Sequence, residues 1–192
     1  MTRKGDWMTT YTGRQFWPLD PRTEEVFIED IAHALSLVCR FGGHCGQFYS
    51  VAQHSCVVAS IIEANGGSEA AVLRGLLHDA AEAYIGDLIR PIKKYVAAFC
   101  AIEEQVECVI MQRFDVPESR GADGVPTVDA QMVKWADDVA LANEHRCLIK
   151  DGKVWDVDST IGMTIEIVPQ LPAVAEVVFI AKFADKIHKW YA

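Results

Sequence analysis

Basic residues are scarce in this sequence: 18 lysines and arginines stand against 27 aspartates and glutamates, a net charge of −9. That balance argues against a protein that coats nucleic acid or an anionic membrane through bulk electrostatics. Any phosphate it handles must meet a local basic pocket. A C-x-x-C pair is also missing. The six cysteines (Cys39, Cys45, Cys56, Cys100, Cys108 and Cys147) are scattered, and four of them lie in apolar runs that read as helix faces, so reduced, buried thiols are expected. No stretch approaches a membrane span, and no apolar run follows the basic residues of MTRKGDWMTTYTG, so no secretory signal is expected and a cytoplasmic location is. Internal repeats and low-complexity tracts are absent as well, which leaves one domain over 1–192 as the expectation.

What is present is apolar and helical in period. Hydrophobic residues make up 51% of 192 positions, ample for one continuous core. The segment from Thr10 to Pro21 carries aromatic and turn-forming residues and predicts a short extended or hairpin piece. From Glu29, Ile31, Ala34, Leu35 and Val38 recur at helical steps towards Gly42-Gly43. Ser50 predicts an N-cap, with Gln53 completing a capping box, for a helix closed by Asn65-Gly66-Gly67. Ser68 opens a third helix, read as running through EAAVLRGLLHDAAEAYIGD and as the central, most buried one, until Gly86 and Pro91 end it. Further helices are predicted over Lys94–Phe114, after Thr127 or Asp129, and from Pro172 onward, with a small hairpin or irregular loop in KDGKVWDVD. The class is therefore all-α.

Chemistry concentrates in His54 on the second helix, His78-Asp79 and Glu82 on the third, and Asp137-Asp138 on the fifth. Imidazoles and carboxylates together suit a divalent Mn, Fe, Co, Ni or Zn ion with open positions for water and substrate. An ionised carboxylate inside an alanine-rich buried helix costs several kcal/mol unless compensated, and a metal ion would compensate it. Composition alone leaves the other reading open, in which His78 and Asp79 are ordinary polar residues at a helix surface. Asp137 and Asp138 point about 100° apart on a helix, so one of them faces any metal. Glu82 follows His78 by four residues and Asp79 by three, which on a continuous helix places it on their face.

GLLHDAAEAYIGD resembles the signature segment of the HD-domain phosphohydrolase superfamily, SVAQHSCVVA its upstream histidine helix, and KWADDVALANE its distal aspartate helix. Within that superfamily the chain is similar, from about Tyr11 to Glu144, to the small bacterial and phage group of the YfbR-type 5′-deoxynucleotidases and the phage dATP triphosphohydrolases. The resemblance implies an HD-domain helical bundle with its core over about 28–150, the N-terminal segment and the C-terminal helix packed on it. It implies one divalent transition metal on His54, His78, Asp79 and Asp137, the last chosen over Asp138 by its place in the V-K-x-A-D pattern. Glu82 would be the proton-transfer group, with orientation of His54 or of water as its competing role.

Arg40-Phe41 stands where the related nucleotidases carry an Arg followed by a large aromatic, and Lys93 matches the lysine of G-D-L-x-x-P-x-K, in which Asp87 offers an acceptor to a sugar hydroxyl. Lys134, three residues before Asp137, shares its helix face and completes the substrate candidates. The implied reaction is hydrolysis of the 5′-phosphate ester of a deoxynucleotide or nucleotide, either as a dNTP triphosphohydrolase, with dATP selectivity as one version, or as a 5′-deoxynucleotidase. The implied partners are a small-molecule nucleotide and further copies of the chain in a homo-oligomer, with no nucleic acid and no membrane. Residues 80–136 contain no histidine, which argues against the dinuclear, cyclic-dinucleotide members. Two rival readings are a non-catalytic module that binds metal and nucleotide, and a metal-free structural protein.

Overall fold

The structure, a computed structural model, describes residues 2–155 and 162–190. It is mostly helical, in the order β1 (Met8–Thr9), β2 (Gln15–Phe16), α1 (Ile28–Leu37), α2 (Val51–Ala64), α3 (Glu69–Leu77), α4 (Glu82–Ile85), α5 (Arg90–Lys93), α6 (Ala97–Arg113), α7 (Val128–Leu148) and α8 (Pro172–Trp190). Among the described residues no helix is long and apolar enough to cross a membrane.

The N-terminal piece is a small antiparallel hairpin that pairs Met8 with Phe16 and Thr9 with Gln15. Two contacts fasten it to the helices. The buried Asp30 carboxylate accepts from the Thr12 backbone N–H at 2.7 Å and from its hydroxyl at 3.0 Å, while Phe16, wholly buried, stacks on Tyr84 of α4 with ring centroids 3.8 Å apart.

Capping follows the sequence. Ser50, Ser68 and Thr127 each accept, through the side-chain oxygen, from the backbone N–H three residues on, at 3.1, 2.9 and 3.2 Å. The capping box does not close, because Gln53 turns its amide outward to donate to the Val168 carbonyl at 2.7 Å and accept from the Gln170 N–H at 2.9 Å. Helix α3 packs against α2, α6, α7 and α8, and each residue from Ala70 to Leu77 is buried. Its Leu76 forms the core together with Ile31, Leu35, Val58, Ile62, Ile110 and Phe179 from the surrounding helices.

Three expected helices differ in extent. The first ends at Leu37, because Val38 and Cys39 become extended and Cys39 bridges to Ser50. A tight turn over Arg40–Gly43 follows, with Phe41 and Gly42 in the left-handed region at φ 58° and 59°. The helix expected over Lys94–Phe114 begins only at Ala97, after the separate turn of α5 started by Pro91.

The third helix breaks at the His-Asp pair. The His78 Nδ1 lies 2.8 Å from the Gly75 carbonyl, the acceptor that an uninterrupted helix offers to the Asp79 N–H. Beyond it the chain tightens into three-residue steps, Ala80 to Leu77, Glu82 to Asp79 and Ala83 to Ala80. The hairpin expected in KDGKVWDVD runs into residues 156–161, which lie outside the described residues. Cysteine burial also departs from expectation: Cys56 is buried, whereas Cys108 and Cys147 are exposed and Cys39, Cys45 and Cys100 half-buried.

Candidate metal centre

Helix α2 delivers His54 from a wholly buried position, the end of α3 delivers His78 and Asp79, and the middle of α7 delivers Asp137. One potential ligand atom from each of His54, His78 and Asp137 falls within 4.8 Å of the others, a grouping that could hold a metal ion. The Asp79 Oδ2 stands 3.2 Å from the His78 Nε2 and 3.7 Å from the His54 Nε2, and the Asp137 Oδ1 3.3 Å from the latter.

How the imidazoles are held tests whether a cation fits. The His54 Nδ1 is 2.6 Å from the Glu144 Oε1, and the His78 Nδ1 is bound to the Gly75 carbonyl. With both Nδ1 atoms donating, each Nε2 carries its lone pair towards the shared space. Both Nε2 atoms are buried without a hydrogen-bond partner among the described residues. Orphaned buried acceptors aimed at carboxylates are costly unless a cation satisfies both, so the residue set fits a metal ion.

Charge balance points the same way. Burial opposes an imidazolium at His78, but the adjacent Asp79 carboxylate outweighs it and pushes the group up to about 9. At His54, burial and Arg40 lower the value, while Glu144 and Asp137 prevail and raise it. Burial likewise works against the Asp79 and Asp137 carboxylates, yet the histidines hold both well below the usual carboxylate range, joined by Arg40 at Asp79. Without a metal, protons on imidazole balance the carboxylates, a balance that a divalent cation takes over on binding.

Glu82 behaves oppositely. Its side chain is buried, its Oε2 has no hydrogen-bond partner among the described residues, and burial together with the Asp79 and Asp87 carboxylates pushes it up to about 9. The three-residue steps after His78 align Asp79 with Glu82 on one side, so the pair stay close although the helix is interrupted.

The structure brings together only some of the expected substrate residues. Arg40 reaches inward, its Nε and one terminal nitrogen each 3.0 Å from the Glu144 Oε2 and the other terminal nitrogen 3.6 Å from Asp79. Phe41 packs on the small apolar cluster of Tyr49, Leu148 and Ile167 and meets Trp155 edge-on at 6.3 Å. A non-glycine residue at φ 58° costs about 1–3 kcal/mol, and such strain collects at functional sites. Asp87 is half-buried and raised, first by burial and then by Asp79. Lys93 is near enough to feel Glu82 and Asp79, but its ammonium lies 2.6 Å from Glu103. Lys134 is exposed and pairs with Asp138 along the outside of α7, away from the histidines.

Two groups of the site escaped sequence reasoning. Glu144, wholly buried, binds His54 with one carboxylate oxygen and Arg40 with the other. Its signal was its spacing, seven residues after Asp137 and therefore on the same face of α7. Arg90, largely exposed at the start of α5, puts a terminal nitrogen 3.6 Å from the Asp137 Oδ2. It sits in the segment GDLIRPIK, where attention falls on the lysine.

No family model matches the chain. It is 34% identical over 179 residues to the uncharacterized protein YfdR of Escherichia coli, covering 92% of this chain and 93% of that protein. It is also 34% identical over 146 residues to the uncharacterized protein RCAP_rcc00048 of Rhodobacter capsulatus, covering 73% of this chain and 72% of that protein. With such identity sustained over nearly its full length, the chain belongs to the family of YfdR.

Proposed function

We propose that this chain is a metal-dependent phosphohydrolase of the HD-domain type that hydrolyses the 5′-phosphate ester of a nucleotide. The observation that carries the reading is the pair of buried Nε2 atoms of His54 and His78, each with its Nδ1 anchored and with no hydrogen-bond partner among the described residues, facing Asp79 and Asp137. A structural zinc site is often closed by thiolates; among the described residues no cysteine joins the grouping, and the carboxylates are partly exposed.

His54, His78, Asp79 and Asp137 would hold the ion, which supplies Lewis acidity towards water and phosphate. Everything else is the work of side chains. Arg40 keeps a half-buried guanidinium beside Asp79, where a phosphate oxygen gains from a charge-assisted donor. Arg90, exposed and tethered only through Asp137 in the contacts described, has the freedom to turn onto an incoming phosphate. Lys93 adds positive charge beside Glu82. Glu82, kept protonated near neutrality by burial and its carboxylate neighbours, stores a proton for the oxygen that leaves phosphorus. The bond broken is that to the α-phosphorus, so a monophosphate gives nucleoside and orthophosphate, and a triphosphate gives nucleoside and tripolyphosphate.

The test is a panel of deoxy- and ribonucleoside mono-, di- and triphosphates with manganese or cobalt, read for orthophosphate and tripolyphosphate. Release from at least one class, lost in His78→Ala and Asp79→Ala, is the expected result. Failure on every member, with metal bound, would sink the nucleotide reading.

A further inference from the structure

Outside the metal centre, the turn that carries Arg40 is bracketed by two thiols. The Cys39 and Cys45 Sγ atoms lie 3.7 Å apart, both on half-buried residues that a small oxidant can reach. We infer that Cys39 and Cys45 form a site of reversible oxidative modification, joined into a disulfide by a hydroperoxide.

The chain pins both thiols in register. Cys39 bridges to Ser50, the Arg40 N–H donates to the Tyr49 carbonyl at 2.9 Å, and the Gly46 N–H donates to the Leu148 carbonyl at 2.8 Å. Between those anchors the backbone has room to give. Gly42 and Gly43 are exposed at φ 59° and 80°, and nothing lies within 4 Å of where a Gly43 Cβ would stand. Closing from 3.7 Å to the roughly 2.05 Å of an S–S bond is a local movement of this turn.

The chemistry balances with one equivalent of hydrogen peroxide. The Cys39 thiolate attacks a peroxide oxygen, the O–O bond breaks, and the departing hydroxide takes a proton to become water. The Cys45 sulfur then displaces the hydroxyl of the sulfenic acid, which leaves as a second water. The two sulfurs lose two electrons and two protons in all, and the peroxide is reduced. Burial, and then the neighbouring Cys39, pushes the Cys45 thiol up, which disfavours Cys45 as the first sulfur to meet the peroxide. The bond encloses Arg40, whose guanidinium spans Glu144 and Asp79, so the modification acts on the residue that joins the turn to the metal centre.

The readout is independent of any hydrolase activity. The fully reduced protein is treated with stoichiometric hydrogen peroxide, alkylated and peptide-mapped, with circular dichroism confirming that it stays folded. The expected result is a Cys39–Cys45 linkage with loss of two hydrogens, reversed by dithiothreitol and formed ahead of any linkage of the more exposed Cys108 and Cys147. Cys45→Ser should leave a Cys39 sulfenic acid that dimedone captures. Full alkylation of both Cys39 and Cys45 after Cys108 or Cys147 has been oxidised would overturn the inference, as would sulfinic acid at Cys39 of the unsubstituted protein without the linkage.

Discussion

The His54 Nδ1 stands 2.6 Å from the Glu144 Oε1, and neither side chain has any exposure to solvent. That contact fixes which imidazole nitrogen is left for a metal. Replacing Glu144 by Gln removes the charge that favours the Nδ1–H form while preserving shape. Losing a carboxylate partner of a ligating histidine typically costs about 10–100-fold in metal affinity. Calorimetric titration of manganese or zinc into Glu144→Gln should show a loss in that range, and an unchanged Kd would remove Glu144 from the site.

Metal removal should be visible in stability. A cation that binds only the folded chain adds about 2.7 kcal/mol at one hundred times its Kd, which for a domain of this size is roughly 5–10 °C in Tm. Chelator-treated protein should melt lower by that order, recover on adding manganese, cobalt or zinc, and show no recovery in a His54→Ala/His78→Ala double variant. Equal melting with and without metal would count against the centre.

The metal-free protein should lose stability as pH rises from the ordinary glutamate value of 4.5 towards 9. Glu82 binds its proton more tightly folded than unfolded, so over that window the unfolded chain holds fewer protons and folding weakens. His78, raised to about 9, adds to the fall between 6.5 and 9. In Glu82→Gln the slope below 6.5 should flatten, as read by denaturant midpoints across pH. Equal slopes in the two proteins would contradict the protonated Glu82.

Phe16 ties the N-terminal hairpin to the segment that bears Glu82. Truncating a fully buried Phe to Ala costs about 3–5 kcal/mol, so Phe16→Ala should lower the urea midpoint severely. A loss under 1 kcal/mol would mean that the hairpin is not part of the cooperative unit.

Among the basic residues, position ranks the effects. A charge-assisted hydrogen bond contributes about 1.5–3 kcal/mol, at least tenfold, where it is made to phosphate. Arg90→Ala should raise KM by that order, and by more than Lys134→Ala, since Lys134 is spent on Asp138 at the surface. The reverse ranking would relocate the phosphate site towards the outer face of α7.

Local signals accounted for much of this structure. The caps at Ser50, Ser68 and Thr127 depend on a side chain and an N–H three residues away, and such short-range pairs are written in the sequence. So was the burial of α3, which follows from an alanine-rich segment that is nearly all apolar on one side. The break after Leu77 was not legible, because no Gly or Pro follows it before Gly86, and the contact found there, the His78 imidazole on the Gly75 carbonyl, is a side-chain bond that periodicity does not register. His54, His78 and Asp137 converge as expected of a metal site, whereas Glu144 and Arg90 matter only through contacts 90 and 47 residues away in sequence. The Cys39–Cys45 approach is likewise made by a chain reversal that composition does not encode.

Helix α7 carries both a candidate ligand, Asp137, and the carboxylate that anchors His54, Glu144, about two turns and 10.5 Å apart along its axis. It therefore works as a ruler. Inserting or deleting one residue anywhere between the two would swing one of them by about 100° around the helix, leaving every side chain chemically intact while uncoupling the carboxylate that faces the cation space from the one that aims His54. A surface loop elsewhere in the fold can change length without turning either carboxylate, but this interval should keep its count.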